Sequence, residues 1–120
     1  MYTHTNLPIE IKPKLVRDKI PEIIEKSGEF KAITKILGKK EYGERLVEKL
    51  HEETEELSLA IKDKTNPEEE LADILELVNA AAVHVGSSFK NIEKERLKKL
   101  KIRGGFTKHI MLLGKKSVKK

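Results

Sequence analysis

The 120-residue chain contains no cysteine, no tryptophan and no glutamine, and aromatic residues make up only 4% of it. Without cysteine there is no disulfide framework, no thiolate metal site and no thiol nucleophile. Few aromatics weigh against a β-sandwich, whose core favours β-branched and aromatic residues. No apolar run approaches the roughly 20 residues that cross a bilayer. Met1–Ile11 also lacks the basic-then-apolar order of a secretory signal. These absences lead us to expect a cytoplasmic protein with no membrane association. Missing glutamine beside abundant Lys, Glu and Ile fits a thermophilic source or a skewed genome equally well.

Charge fills the space that aromatics leave, at 38% of residues with a formal net of +5. A single domain over 1–120 is expected, with a core over 14–113 and a basic tail over 114–120. A chain this short buries a modest core, which favours a homodimer or homotetramer. The charges are segregated. Glu52–Glu76 holds ten acids and two lysines, net −8, leaving 23 bases and ten acids, net +13, elsewhere. Lys90–Lys120 alone holds twelve bases and two acids. An acidic centre between basic arms suits a cation site serving a polyanion, although a solvated, salt-bridged surface has the same counts.

The pattern predicts a mainly α fold, an antiparallel helical bundle with a small two-stranded β element. Residues 1–13 read as an irregular lead-in. Asp18 is the expected cap of a short helix with Pro21 in its first turn, ended by Ser27-Gly28. Phe30–Leu37 reads as a short strand closed by Gly38, with Phe106–Leu113 as its partner. A long helix is expected from Lys40 to about Asp63, with Tyr42, Leu46, Leu50, Leu57 and Ile61 as its apolar stripe. Asn66-Pro67 starts a second long helix, which stops near Gly86. Ser87 or Ser88 caps a third, ending near Lys101, before the turn Arg103–Phe106.

Two acidic motifs lie on the central helices, Glu52-Glu53-Thr54-Glu55-Glu56 and Glu70-Leu71-Ala72-Asp73. Carboxylates three residues apart share a helix face. Two such pairs on antiparallel helices can converge, as in metal sites inside helical bundles. At about 100° per residue, Glu53 falls inside the first apolar stripe and Glu56 at its edge, while Glu52 and Glu55 turn outward. On the second helix Glu70 falls inside a stripe containing Leu71, Ile74, Leu75, Leu77, Val78 and Ala81. Asp73 lies at its edge, and Glu69 and Glu76 point away. A solvated face does not put acids on the core side, where an unpaired carboxylate costs several kcal/mol unless a cation or proton compensates. Oxygen-only ligands select a hard cation, Mg²⁺ first and Mn²⁺ second.

At these residues the sequence resembles the MazG-like all-α nucleotide pyrophosphohydrolase superfamily. The pattern Glu52-Glu53-x-x-Glu56, then Glu70-x-x-Asp73 after a 13-residue gap, is similar to that superfamily's hallmark. Lys14-Leu15-Val16-Arg17-Asp18-Lys19-Ile20-Pro21-Glu22-Ile23-Ile24 resembles the opening of a compact house-cleaning branch, similar to phosphoribosyl-ATP pyrophosphohydrolase. Arg103-Gly104-Gly105-Phe106 resembles that branch's closing motif. The likeness covers about 14–113. It implies Glu53, Glu56, Glu70 and Asp73 as metal ligands and Glu52 as a water-orienting base. The implied reaction splits a nucleoside triphosphate between its α- and β-phosphates, giving a monophosphate and pyrophosphate. Phosphoribosyl-ATP, dUTP, dCTP and oxidised nucleotides all remain open as substrates.

A triphosphate near four acids also needs basic groups. Arg17, Lys19, Lys99 and Arg103 are the substrate-binding candidates, and Gly104-Gly105 is first a turn and second a phosphate nest. Asn79 is a minor candidate for base contact. His4, His51, His84 and His109 show no ligand spacing. Two rival functions stand beside this one. A nucleic-acid-binding helical module draws on the basic tail, but it lacks a recognition motif and stacking aromatics. A non-catalytic interaction protein is the other, against which stands the intact four-acid set.

Overall fold

The computed structural model describes residues 9–119. Regular structure among them is helical: α1 (Ile20–Lys26), α2 (Lys39–Asp63), α3 (Pro67–His84) and α4 (Phe89–Arg103). Residues 1–8 and Lys120 lie outside the described residues, and with them most of the expected lead-in, His4 included.

Local chemistry explains most of the boundaries. In α1, Pro21 sits in the first turn, where its missing N–H has no helical partner to lose. The expected Asp18 cap does not form. Lys19 takes the cap position without a side-chain bond, and the helix starts from a turn in which the Ile20 N–H donates to the Arg17 carbonyl (3.1 Å). Between α2 and α3 the chain reverses through two left-handed residues, Lys64 (φ 58°) and Asn66 (φ 41°). Asn66 occupies the expected cap position, but its amide donates to the Glu69 carboxylate at 3.1 Å and caps no backbone N–H. Ser88 does cap α4, its Oγ accepting from the Asn91 N–H at 3.1 Å. That helix runs two residues past the expected end, to Arg103.

The two long helices are antiparallel. Gly43, early in α2, lies against His84 at the end of α3, while Glu53 in mid-α2 meets Glu70 and Asp73 early in α3. Gly43 makes room for the His84 ring, since a β-carbon there would stand 2.5 Å from His84 Nε2 and force the ring to move. The His84 ring also meets Tyr42 edge-on, with centroids 5.3 Å apart. The core is narrow. Leu46, Ala60 and Ala82 are its buried apolar residues among those described, joined by one acid, Glu53. Ile61, expected in the stripe, is 62% exposed, and Ala60 one residue earlier takes the inward place.

Neither expected strand is formed. Residues 30–37 carry no regular structure, nor do 107–113 beyond the turn at Phe106. Two isolated strands joined by no tight turn lack the further strands or helix cover that stabilise a pair. The result is an elongated chain, with a radius of gyration of 21.0 Å and extents of 84 × 36 × 24 Å. A compact chain of this length has a radius of about 14 Å. None of the described helices is long and apolar enough to cross a membrane.

Candidate metal centre

The site is built where α2 and α3 face one another. Glu53 projects from the middle of α2 into the interface. Glu70 and Asp73, one turn apart, project from the first turns of α3. One carboxylate oxygen from each of the three lies within 4.8 Å of the others. Glu53 is buried, and Glu70 and Asp73 are half-buried.

The electrostatics of this trio are unbalanced. With the carboxylates ionised, Glu53 Oε2 and Glu70 Oε2 are both buried without a hydrogen-bond partner. The positive charges nearby are peripheral. Lys49 Nζ stands 3.9 Å from Glu53 Oε1, and Arg17 binds Asp73 Oδ1 at 2.6 Å from an exposed position. Burial pushes the Glu53 carboxyl up to about 7, helped by the Glu56 charge, a hydrogen bond once a proton is shared with Glu70, and the Asp73 charge; Lys49 opposes. Burial likewise raises Glu70. The bond with Glu53 pulls it down, while Glu56 and Asp73 push it up. Close carboxylates cannot all stay ionised without a compensating charge. Two unpartnered buried oxygens and an all-oxygen donor set fit a small hard dication.

The other predicted residues fall at different distances. Glu56 is exposed and outside the close trio, though near enough to repel both Glu53 and Glu70. Glu52 is half-buried beside the trio, its carboxylate 3.4 Å from Lys49 Nζ. Arg17 is brought to the site. Lys19 is exposed at the start of α1. Lys99 and Arg103 are exposed on α4, which packs on α3 and not on α2. Asn79 lies on a different face of α3. With Ala72, Leu75, Glu76 and Phe89 it lines an open cleft of about 390 Å³. Lys49 is the residue that sequence reasoning missed. Its spacing of three to Glu52 and four to Glu53 on one helix was the available signal.

No family model, no curated protein and no solved structure matches the chain.

Proposed function

We propose that the protein is a Mg²⁺-dependent nucleoside triphosphate pyrophosphohydrolase, with Mn²⁺ as a substitute, acting in the cytoplasm as a homodimer or homotetramer. The observation that carries this reading is Glu53: a buried carboxylate with an orphaned oxygen, aimed at two more carboxylates on the facing helix. Such an arrangement destabilises the fold above about pH 7, where Glu53 loses its proton, unless a cation compensates. Glu53, Glu70 and Asp73 would hold the ion, with Glu56 at the rim available to a second one arriving with substrate. When bound, Mg²⁺ offsets phosphate charge and lowers the pKa of the attacking water.

The chain's own residues divide the remaining work. Glu52 accepts the proton of the attacking water, and Lys49, 3.4 Å away, orients its carboxylate. The water oxygen bonds to the α-phosphorus as the bridging oxygen leaves with pyrophosphate. Arg17 fixes Asp73 with one N–H group and has further guanidinium donors for phosphate oxygens. The test is incubation with Mg²⁺ and a panel of canonical and damaged nucleoside triphosphates, separating pyrophosphate from orthophosphate. Pyrophosphate with the matching monophosphate is expected, and orthophosphate release contradicts α–β cleavage. Glu53→Gln and Asp73→Asn should each lower turnover by more than about 100-fold, a loss at or beyond the upper end for disturbing a ligand's support, with helical circular dichroism retained. Full activity in either variant rejects the site. Absence of turnover together with salt-sensitive nucleic-acid binding by the native chain would favour the nucleic-acid module.

A further inference from the structure

The N-terminal segment is joined to the hairpin by very little. α1 buries none of its residues, packs on no other described helix and leaves Ile23 and Ile24 exposed. Among the described residues, two ion pairs link 9–37 to α2 or α3. Lys35 lies 3.7 Å from Glu41, its near neighbour along the chain, so that pair ties the segment to a stretch it already adjoins. Arg17 binds Asp73 Oδ1 at 2.6 Å across 56 positions. This long-range pair is what sets the segment against the hairpin.

Where Arg17 binds gives the pair its meaning. Asp73 is one of three carboxylates whose oxygens lie within 4.8 Å of one another, and Glu53 beside it is 6% exposed with an unpartnered Oε2. Arg17 therefore engages a carboxylate that a bound dication also needs. Two cations on one carboxylate repel, and the opposition is reciprocal: each weakens the binding of the other. Lys49 faces the trio too, 3.9 Å from Glu53 Oε1, but it stands on the same helix as Glu52 and Glu53. Its displacement moves only its own side chain, whereas release of Arg17 releases a segment. The pair is also weak enough to exchange. The Arg17 side chain is 58% exposed and that of Asp73 33%, and an exposed ion pair gains little over water.

We propose that Arg17 is an exchangeable counter-cation that straps the N-terminal segment and α1 to the carboxylate site, and that the strap is released when a divalent cation binds there. Arg17 thus fixes Asp73 only until the cation takes its place. The freed guanidinium, a planar fork of N–H donors, is then available to a phosphate group. An order of binding follows, in which Arg17 turns to phosphate only after the cation is bound. Release by the cation stands on the Arg17–Asp73 pair and the carboxylate trio alone, whereas transfer to phosphate rests on the pyrophosphohydrolase reading.

The chain has no native cysteine, so a label pair reads the strap directly. Glu22→Cys on α1 and Ser58→Cys on α2 replace exposed residues. The full-length double variant carries a nitroxide at each site and is diluted into unlabelled chain. A narrow distance distribution is expected without added metal and a broad one with Mg²⁺, whose binding is followed by calorimetry. Arg17→Ala in the labelled chain should be broad in both conditions. Unlabelled, it should bind Mg²⁺ alone up to about fivefold more tightly, the worth of an exposed ion pair, while Arg17→Lys, which keeps the charge, stays closer to native. With Mg²⁺ present, Arg17→Ala should weaken the binding of inorganic pyrophosphate by at least about tenfold, the loss of a charged hydrogen bond. The opposite signs of these two effects separate exchange from a merely structural role. Mg²⁺ that binds without widening the distribution overturns the strap and leaves the hydrolase reading intact. Mg²⁺ that does not bind overturns both. A widened distribution in a protein that cleaves no nucleotide rejects the hydrolase reading alone, and undiminished pyrophosphate binding in Arg17→Ala rejects the transfer to phosphate.

Discussion

The α2–α3 hairpin and the α4 arm are both helical and densely charged, yet they differ in almost every other structural respect. The hairpin holds every buried residue among those described, the carboxylate trio and the close Gly43–His84 approach. The arm holds no buried residue at all, and its charge has the opposite sign. Helical pattern already separates them in part, since α4 segregates its apolar residues more weakly than α2 or α3. A helix becomes a core element when a second apolar face lies along it; α2 and α3 supply such faces to each other, whereas α4 touches α3 without burying any residue. The arm leaves Phe89, Leu97 and Leu100 exposed.

This contrast can be broken most sharply in the hairpin. Leu46→Ala empties the most buried large side chain and should cost ~2–5 kcal/mol, read as a lower urea midpoint. Leu97→Ala on the arm should leave the midpoint of dilute protein nearly unchanged, within about 0.5 kcal/mol. Equal losses at the two positions would mean that the arm is as integral to the fold as the hairpin.

A pH series separates the regions next. In the metal-free protein, Glu53 titrates near 7 when folded, against 4.5 for the ordinary carboxyl. The folded state therefore binds more protons between those values. The stability Glu53 contributes is whole below about pH 4.5 and is lost as pH rises through about 7. Thermal midpoints without metal should fall from pH 5 to pH 8, and Mg²⁺ should restore the loss at pH 8 by binding the folded state. Glu53→Gln should flatten both responses. A midpoint that rises with pH would contradict the burial of Glu53.

Gly43→Ala is a finer probe of the same hairpin. In an open helix, alanine gains about 1 kcal/mol over glycine. Here its methyl meets the His84 ring, so the single change should destabilise, and the Gly43→Ala, His84→Ala pair should recover the gain relative to His84→Ala alone. A double-mutant cycle measures the sign reversal. The smallest effect is expected at the arm's root. Ser88→Ala removes the cap of α4 at a cost of about 1 kcal/mol, visible as faster amide exchange at Asn91.

Much of the hairpin was legible in the sequence because its signals are local. Apolar spacing gave α2 and α3 within a residue or two, and Pro67 and Gly86 marked their limits. Phase placed Glu53 inward and Glu55, Glu69 and Glu76 outward, as the burial pattern has them, but it also turned Glu52 outward and put Leu71 and Leu75 in the inward stripe, whereas Glu52 is half-buried and both leucines are exposed. Other features were not legible because they depend on partners remote in sequence. The Arg17–Asp73 pair spans 56 positions. The exchange of Ile61 for Ala60 at the interface depends on how closely two helices approach. The β-branched segment 30–37 has a strand's composition, but a strand needs a hydrogen-bonding neighbour, and the described chain offers none.

The sequence by itself thus determined the helices, the segregation of charge and the inward direction of one acid, because these follow from a 3.6-residue period and fixed side-chain identities. Only the tertiary structure decided which acids meet. It brought Glu53, Glu70 and Asp73 within 4.8 Å and left Glu56 at the rim, because the rotation and offset of two packed helices are set by contacts such as the burial of Leu46 and the seating of His84 against the bare backbone of Gly43. It also decided that α4 stays clear of α2. The hydrogen-bonded turn after His84 fixes its direction, and no periodicity within either helix encodes that angle.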